Sequence, residues 1–156
     1  MVVVSDSTTL IVLSNMERFD LLINLFAKVY IPQAVFEETT SKDGVRLPKF
    51  IEVCLPKHDK DLKAIKLLLD EGESEAVILA IQKNLTLIID EKKGREIAKN
   101  MGLKIIGLVG VVYLNIARGF LSVVEAKKFL ELANANGFRI SQRLVDGMFN
   151  SVDCLK

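Results

Sequence analysis

The chain has 156 residues, half of them hydrophobic, a formal charge of +1, three prolines and two cysteines. That length suits one domain with its own core, spanning residues 1–156, and the apolar content excludes a disordered or low-complexity chain. Near-neutral charge decides nothing about nucleic acid, because an acidic and a basic face can cancel. Two isolated cysteines, Cys54 and Cys154, fit a reduced chain rather than a disulfide framework.

In chain order, Met1 to Val4 is a continuous β-branched run, the pattern of a strand buried on both faces. Asp6 leaves it and is followed by the hydroxyls of Ser7, Thr8 and Thr9; by itself, Asp6 there reads as a helix N-cap. Apolar residues at helical spacing predict a helix over Glu17–Lys28, then a short strand, Val29–Ile31. Pro32 opens a helix to Thr40, on which Glu38 shares the face of Val35. Ser41–Lys49 reads as a loop and Phe50–Leu55 as a strand at the sheet edge. His58 is the only histidine, so a histidine-based zinc site or catalytic triad has little to work with.

Helix Asp59–Asp70 is broken by Gly72, and helix Glu73–Asn84 is apolar nearly all round, hence deeply buried. Glu73 and Glu75 leave that helix roughly 160° apart, so only one of them turns inward. Strand Leu85–Ile89 ends at Asp90, helix Glu91–Met101 follows, and Gly102 caps it before strand Leu103–Ile106. Leu108–Ala117 is an apolar helix; Ser122–Asn136 is amphipathic, with Ser122 and Glu125 forming a capping box. Ser141 caps a last helix reaching about Asn150. The most apolar window, Ile105–Ala117, is shorter than the roughly 20 residues of a membrane span, and no basic leader opens the chain. The expectation is a soluble, cytoplasmic protein without a membrane partner.

Alternating strands and helices predict an α/β sandwich with a mostly parallel sheet. Ligands of such sheets bind outside the carboxyl ends of the strands, where Asp6 and Asp90 both fall. Taken with Glu38 and Glu75, they make a set of acids that repel one another unless a cation joins them. Hard oxygen donors suit Mg²⁺ or Mn²⁺, ions that support phosphodiester hydrolysis without a protein nucleophile. A dinucleotide-binding turn is absent after Asp6. A phosphorylated receiver-like domain needs a lysine after the last strand, where Ile105-Ile106-Gly107 offers none.

VVSDSTTLI, IPQAVFEE, LDEGESEAVILA, LIIDEKKGREIA and FRISQRLVDGMF occur in this order over nearly the whole chain. Together they resemble the PIN-domain superfamily, within it the stand-alone prokaryotic branch related to VapC-type toxins. The resemblance implies a three-layer α/β/α fold on a parallel five-stranded sheet and a Mg²⁺- or Mn²⁺-dependent ribonuclease. It implies catalytic acids at Asp6, Glu38, Glu75 and Asp90, with Asp6, Glu75 and Asp90 holding the metal and Glu73 as rival for the third place. The family often has Asp where Glu75 stands. A supporting hydroxyl from Ser7 or Thr8 is implied as well. Lys92, Lys93 and Arg95 are candidates for RNA phosphates, against a plain solvated helix face. The implied partners are an RNA substrate, an antitoxin protein and a second copy of the chain. The rival reading is a PIN-like module that binds nucleic acid or protein without cutting.

Overall fold

In the computed structural model, which describes residues 1–153, five parallel strands form one sheet. They are β1 (Val2–Ser5), β2 (Lys28–Ile31), β3 (Ile51–Val53), β4 (Thr86–Ile88) and β5 (Ile105–Ile106). Their spatial order is β3-β2-β1-β4-β5. The chain therefore runs outward from β1 through β2 to β3, then returns to place β4 on the other side of β1. That reversal opens a crevice between β1 and β4 at the carboxyl end of the sheet. Register there pairs Ser5 with Ile88, and the amide of Asp6 donates to the Ile88 carbonyl at 3.0 Å.

Side chains alternate across the sheet as the pleat requires. Val3 and Ile88 belong to the core beneath α1 (Ser7–Asn15), α2 (Asp20–Ile23), α7 (Leu108–Ala117), α8 (Val123–Ala135) and α9 (Gln142–Asp153). Val4, Leu87 and Ile89 belong to the opposite core, beneath α4 (Lys60–Ile65), α5 (Glu71–Lys83) and α6 (Lys92–Asn100). The helix α3 (Gln33–Glu37) continues into a π-helical turn over Glu38–Lys42. Helix α5 is buried from Ser74 to Ala80, as its apolar sequence predicts. Each Leu or Ile so buried is worth about 1.5–3 kcal/mol. These layers are the three of an α/β/α sandwich.

Two element assignments differ from the sequence expectation, and both matter for the site. The predicted helix over Glu17–Lys28 is only the short α2. The preceding residues form α1 instead, because Glu17 turns left-handed at φ 55° and ends α1, with the Arg18 amide on the Leu13 carbonyl at 2.8 Å. Gly72 does not separate two helices; it lies in the first turn of α5, which Asp70 caps by accepting from the Glu73 amide at 2.8 Å. A Cβ at residue 72 would stand 2.9 Å from Glu38 Oε2 and 3.5 Å from Val35 Cγ2. Glycine there lets α3 and Glu38 close on the start of α5. The capping box of Ser122 and Glu125 is formed. Cys54 is a free, half-buried thiol, while Cys154 lies outside the described residues. Among the described residues, no helix is long and apolar enough to cross a membrane.

Candidate active site

Asp6 and Asp90 meet in the crevice between β1 and β4. Each follows its strand, and the strands are hydrogen-bonded neighbours, so the fold brings together acids that are 84 positions apart. Asp6 is 2% exposed and caps α1, its Oδ1 accepting from the Thr9 amide at 3.4 Å. Its Oδ2 accepts from the Asp90 amide at 3.3 Å. Asp90 caps α7 across the sheet: the Leu108 amide donates to its Oδ1 at 3.0 Å and to its Oδ2 at 3.3 Å. Gly107, the residue at the N-cap position of α7, has no side chain to do this. Glycine there leaves both side chains in place, since a Cβ would lie 2.6 Å from Asp90 Oδ1 and 2.7 Å from an Arg95 guanidinium nitrogen and would push them aside.

Thr9 joins the two acids. Its amide reaches Asp6, and its hydroxyl donates to Asp90 Oδ2 at 2.7 Å. One helical turn after an N-cap, a side chain returns to the capped end of the helix, which is why Thr9 serves here. Ser7 is half-buried and Thr8 is exposed at the rim of the groove beside Asp90. The supporting hydroxyl between the acids is thus that of Thr9, rather than the expected Ser7 or Thr8.

The electrostatics show that this negative charge is poorly compensated. Burial first, and then the neighbouring Asp90, push the Asp6 carboxyl up to about 8. Asp90 is raised by burial, against the opposing effects of the Thr9 hydroxyl, the Leu108 amide and the Arg95 guanidinium. Arg95 is half-buried and spends one N–H on the Ile89 carbonyl at 2.9 Å. Lys92 and Lys93 are exposed in the first turn of α6.

Helix α5 sends its two glutamates to different surroundings. Glu73 faces the cluster: its carboxyl is pushed up to about 7 by burial, then by Asp70, Glu91 and Glu38, and its charge in turn raises Asp6. Glu75 is buried elsewhere, with Glu71, Lys66, His58 and the Ala34 amide as neighbours, and burial raises it. The structure does not bring Glu75 to Asp6 and Asp90. Starting α5 at Glu71 sets this phase, and two residues of helix turn the rival acids roughly 160° apart. Glu38 lies beside Gly72 and Asp70 and adds to the negative field at Glu73. Glu91, which sequence reasoning left out, caps α6 through the Gly94 amide at 2.7 Å and adds to the negative field at Glu73. Its position directly after Asp90 was the available signal.

The donor set fits a hard divalent cation. Two buried carboxylates with raised proton affinity, and acids around them, lack a matching positive charge. Among the described residues no group of three or more His, Cys, Asp or Glu side chains converges closely enough to form a protein cage. Mg²⁺ commonly uses one or two carboxylates and keeps several waters, so Asp6 and Asp90 meet its need without a third ligand in contact.

Comparison with known proteins agrees with this architecture. Residues 2–153 match the family model described as PIN domain. A PilT N-terminus domain protein from the hyperthermophilic archaeon Sulfolobus solfataricus has a similar structure, with a TM-score of 0.53. It is 21% identical, over 71% of this chain and 90% of that one, which shows the shared fold. No curated protein matches the chain. A sheet reversal that brings two buried acids together, and a family match from residue 2 to 153, lead to one conclusion: the chain belongs to the PIN-domain family, whose members are usually nucleases and generally use divalent metal ions.

Proposed function

We propose that the protein is a divalent-metal-dependent endoribonuclease that hydrolyses RNA phosphodiester bonds, with Asp6 and Asp90 as metal ligands and Glu73 beside them. The observation that carries this reading is the Asp6–Asp90 pair, two acids buried side by side whose raised proton affinity a bound cation would lower. Asp6 and Asp90 would hold the ion; once bound, it supplies an activated water and charge neutralisation for the phosphate. Thr9 holds the Asp90 carboxylate in orientation and lowers its proton affinity. The Leu108 amide does the same from the N-terminus of α7. Glu73, whose carboxyl titrates near 7, is suited to accept a proton from an attacking water at neutral pH. Glu38, next outward from Glu73 in the acid field, would orient that water, and Arg95 with Lys92 and Lys93 would meet backbone phosphates.

The test is cleavage of a structured RNA pool by purified protein with Mn²⁺, Mg²⁺ or EDTA, beside the Asp6→Asn variant. Cutting that needs the ion and disappears in the variant is the expected result. Absence of cutting and of metal uptake by calorimetry would instead select a non-cleaving module, a reading favoured by the lack of a three-acid cage among the described residues. An antitoxin protein and a second copy of the chain are the protein partners we propose for a toxin role.

A further inference from the structure

The C-terminal stretch FRISQRLVDGMF has no part in the chemistry above, yet it builds one wall of a long groove. Beside the carboxylates lies a cavity of about 460 Å³, lined by Thr8, Asp90, Glu91, Arg95, Phe138 and Arg139 among others. A second cavity, of about 750 Å³, lies between α7 and α9 and is lined by Val109, Tyr113, Leu144, Gly147 and Met148, with Arg143 and Ser141. Val109, Ser141 and Leu144 border both, so the two adjoin. Along this path the chemistry changes from acids and guanidinium groups to aliphatic and aromatic side chains.

We infer that the α7–α9 cavity is a nucleobase subsite, receiving one unpaired base of the strand whose phosphate lies at Asp6 and Asp90. The inference rests on the nuclease reading and deepens it, making α9 a determinant of substrate choice. A nucleotide presents the same succession as the groove, an anionic phosphate and then a flat, largely apolar base. Arg139 and Arg95 stand along the cavity beside the acids, where a flanking phosphate needs a cation. Tyr113 offers an aromatic face of the kind on which unpaired bases stack. The volume lies within the range of pockets that enclose small organic groups. A base held in a duplex is already stacked and paired, so it cannot enter.

Gly147 supplies an independent observation. It lies inside α9, where glycine weakens a helix, and among the described residues a Cβ there would meet nothing within 4 Å. Gly110 on the facing helix has a packing reason, because its Cβ would come within 2.7 Å of Ile106 Cγ1. Among the described residues Gly147 has none; it leaves the cavity wall open there. Leu144, 53% exposed at the junction of the two cavities, is an apolar contact awaiting a ligand of like character.

The experiment uses the full chain and a fluorescent single-stranded RNA octamer, intact or with one abasic nucleotide at each position in turn. Cleavage is followed in Mn²⁺, and binding is followed by anisotropy with the Asp6→Asn variant. One abasic position next to the cut should slow cleavage and weaken binding about tenfold, the others much less. Gly147→Leu, which fills the cavity from an open helical site, should impose the same loss on the intact octamer. It should add nothing on the octamer lacking that base. Gly147→Ala should stay near wild type, and Tyr113→Ala should repeat the loss if the leucine variant fails to fold. Equal cleavage and binding of all the octamers, or equal losses for Gly147→Leu on intact and abasic RNA, would overturn the subsite while leaving the nuclease intact. An RNA neither cut nor bound would remove both readings.

Discussion

Two regions of this molecule bury carboxylates, and they do so with opposite company. At the β1–β4 crevice, Asp6 and Asp90 lie against each other, with Glu73 adding to the negative field. Glu75, on the same helix, is buried in other surroundings, where Lys66 favours its ionised form. Glu75 also has Glu71 as an unfavourable neighbour, but it has a cationic counterweight in the protein. The comparison teaches that burial of an acid is not by itself a site. What marks a site is several buried acids set together with less positive charge than they need, and therefore ready for an external cation.

The largest effect should come from separating the two regions by substitution. Asp6→Asn should reduce metal-dependent RNA cleavage roughly a hundredfold or more, whereas Glu75→Gln should change the rate little and act on stability instead. Comparable losses of activity from both would erase the distinction between the two regions.

Metal-free stability is the next contrast. The Asp6 carboxyl titrates near 8 in the folded chain, against about 3.9 when unfolded, so between these values the folded state binds the extra proton. Stability should therefore fall as pH rises from about 4 to about 8, by on the order of a few kcal/mol, and level off above. Glu73, titrating near 7, adds to the loss over the lower part of that window. Urea unfolding in EDTA at pH 5 and pH 8 measures the slope; Mg²⁺ should flatten it, and so should Asp6→Asn. A slope of the opposite sign would contradict the burial of these acids as described.

Glu73→Gln should cost about tenfold or more in kcat while leaving metal binding by Asp6 and Asp90 in place. Isothermal titration of Mn²⁺ alongside single-turnover cleavage separates the two effects. The smallest change is expected for Thr9→Val, which removes the hydroxyl bond to Asp90 at about 1 kcal/mol. Without that donor Asp90 holds its proton to higher pH, so the pH–rate profile of the variant should shift upward and converge on wild type in alkaline buffer.

Much of this protein was legible in its residues before any coordinates. The β-branched run at the N-terminus, the alternation of strands and helices and the capping box at Ser122 each follow from local physical chemistry. So does the buried character of α5. Asp6 and Asp90 could be located as acids leaving strands, because the end of a strand is a local event. What the residues alone could not settle is helical phase and long-range closure. Whether Gly72 breaks a helix or begins one depends on Asp70 capping the Glu73 amide and on Glu38 and Val35 lying against the glycine. That choice decides which of Glu73 and Glu75 faces the crevice. The hydroxyl of Thr9, rather than that of Ser7 or Thr8, reaches Asp90 only once β4 has paired with β1 and α1 has begun at Ser7. The same closure joins the end of β4 to α7 through Asp90 and the Leu108 amide. Sequence determined the elements because propensity, capping and periodicity act over a few residues. The tertiary structure decided the site because carboxylates far apart in sequence interact only where the sheet order sets them side by side.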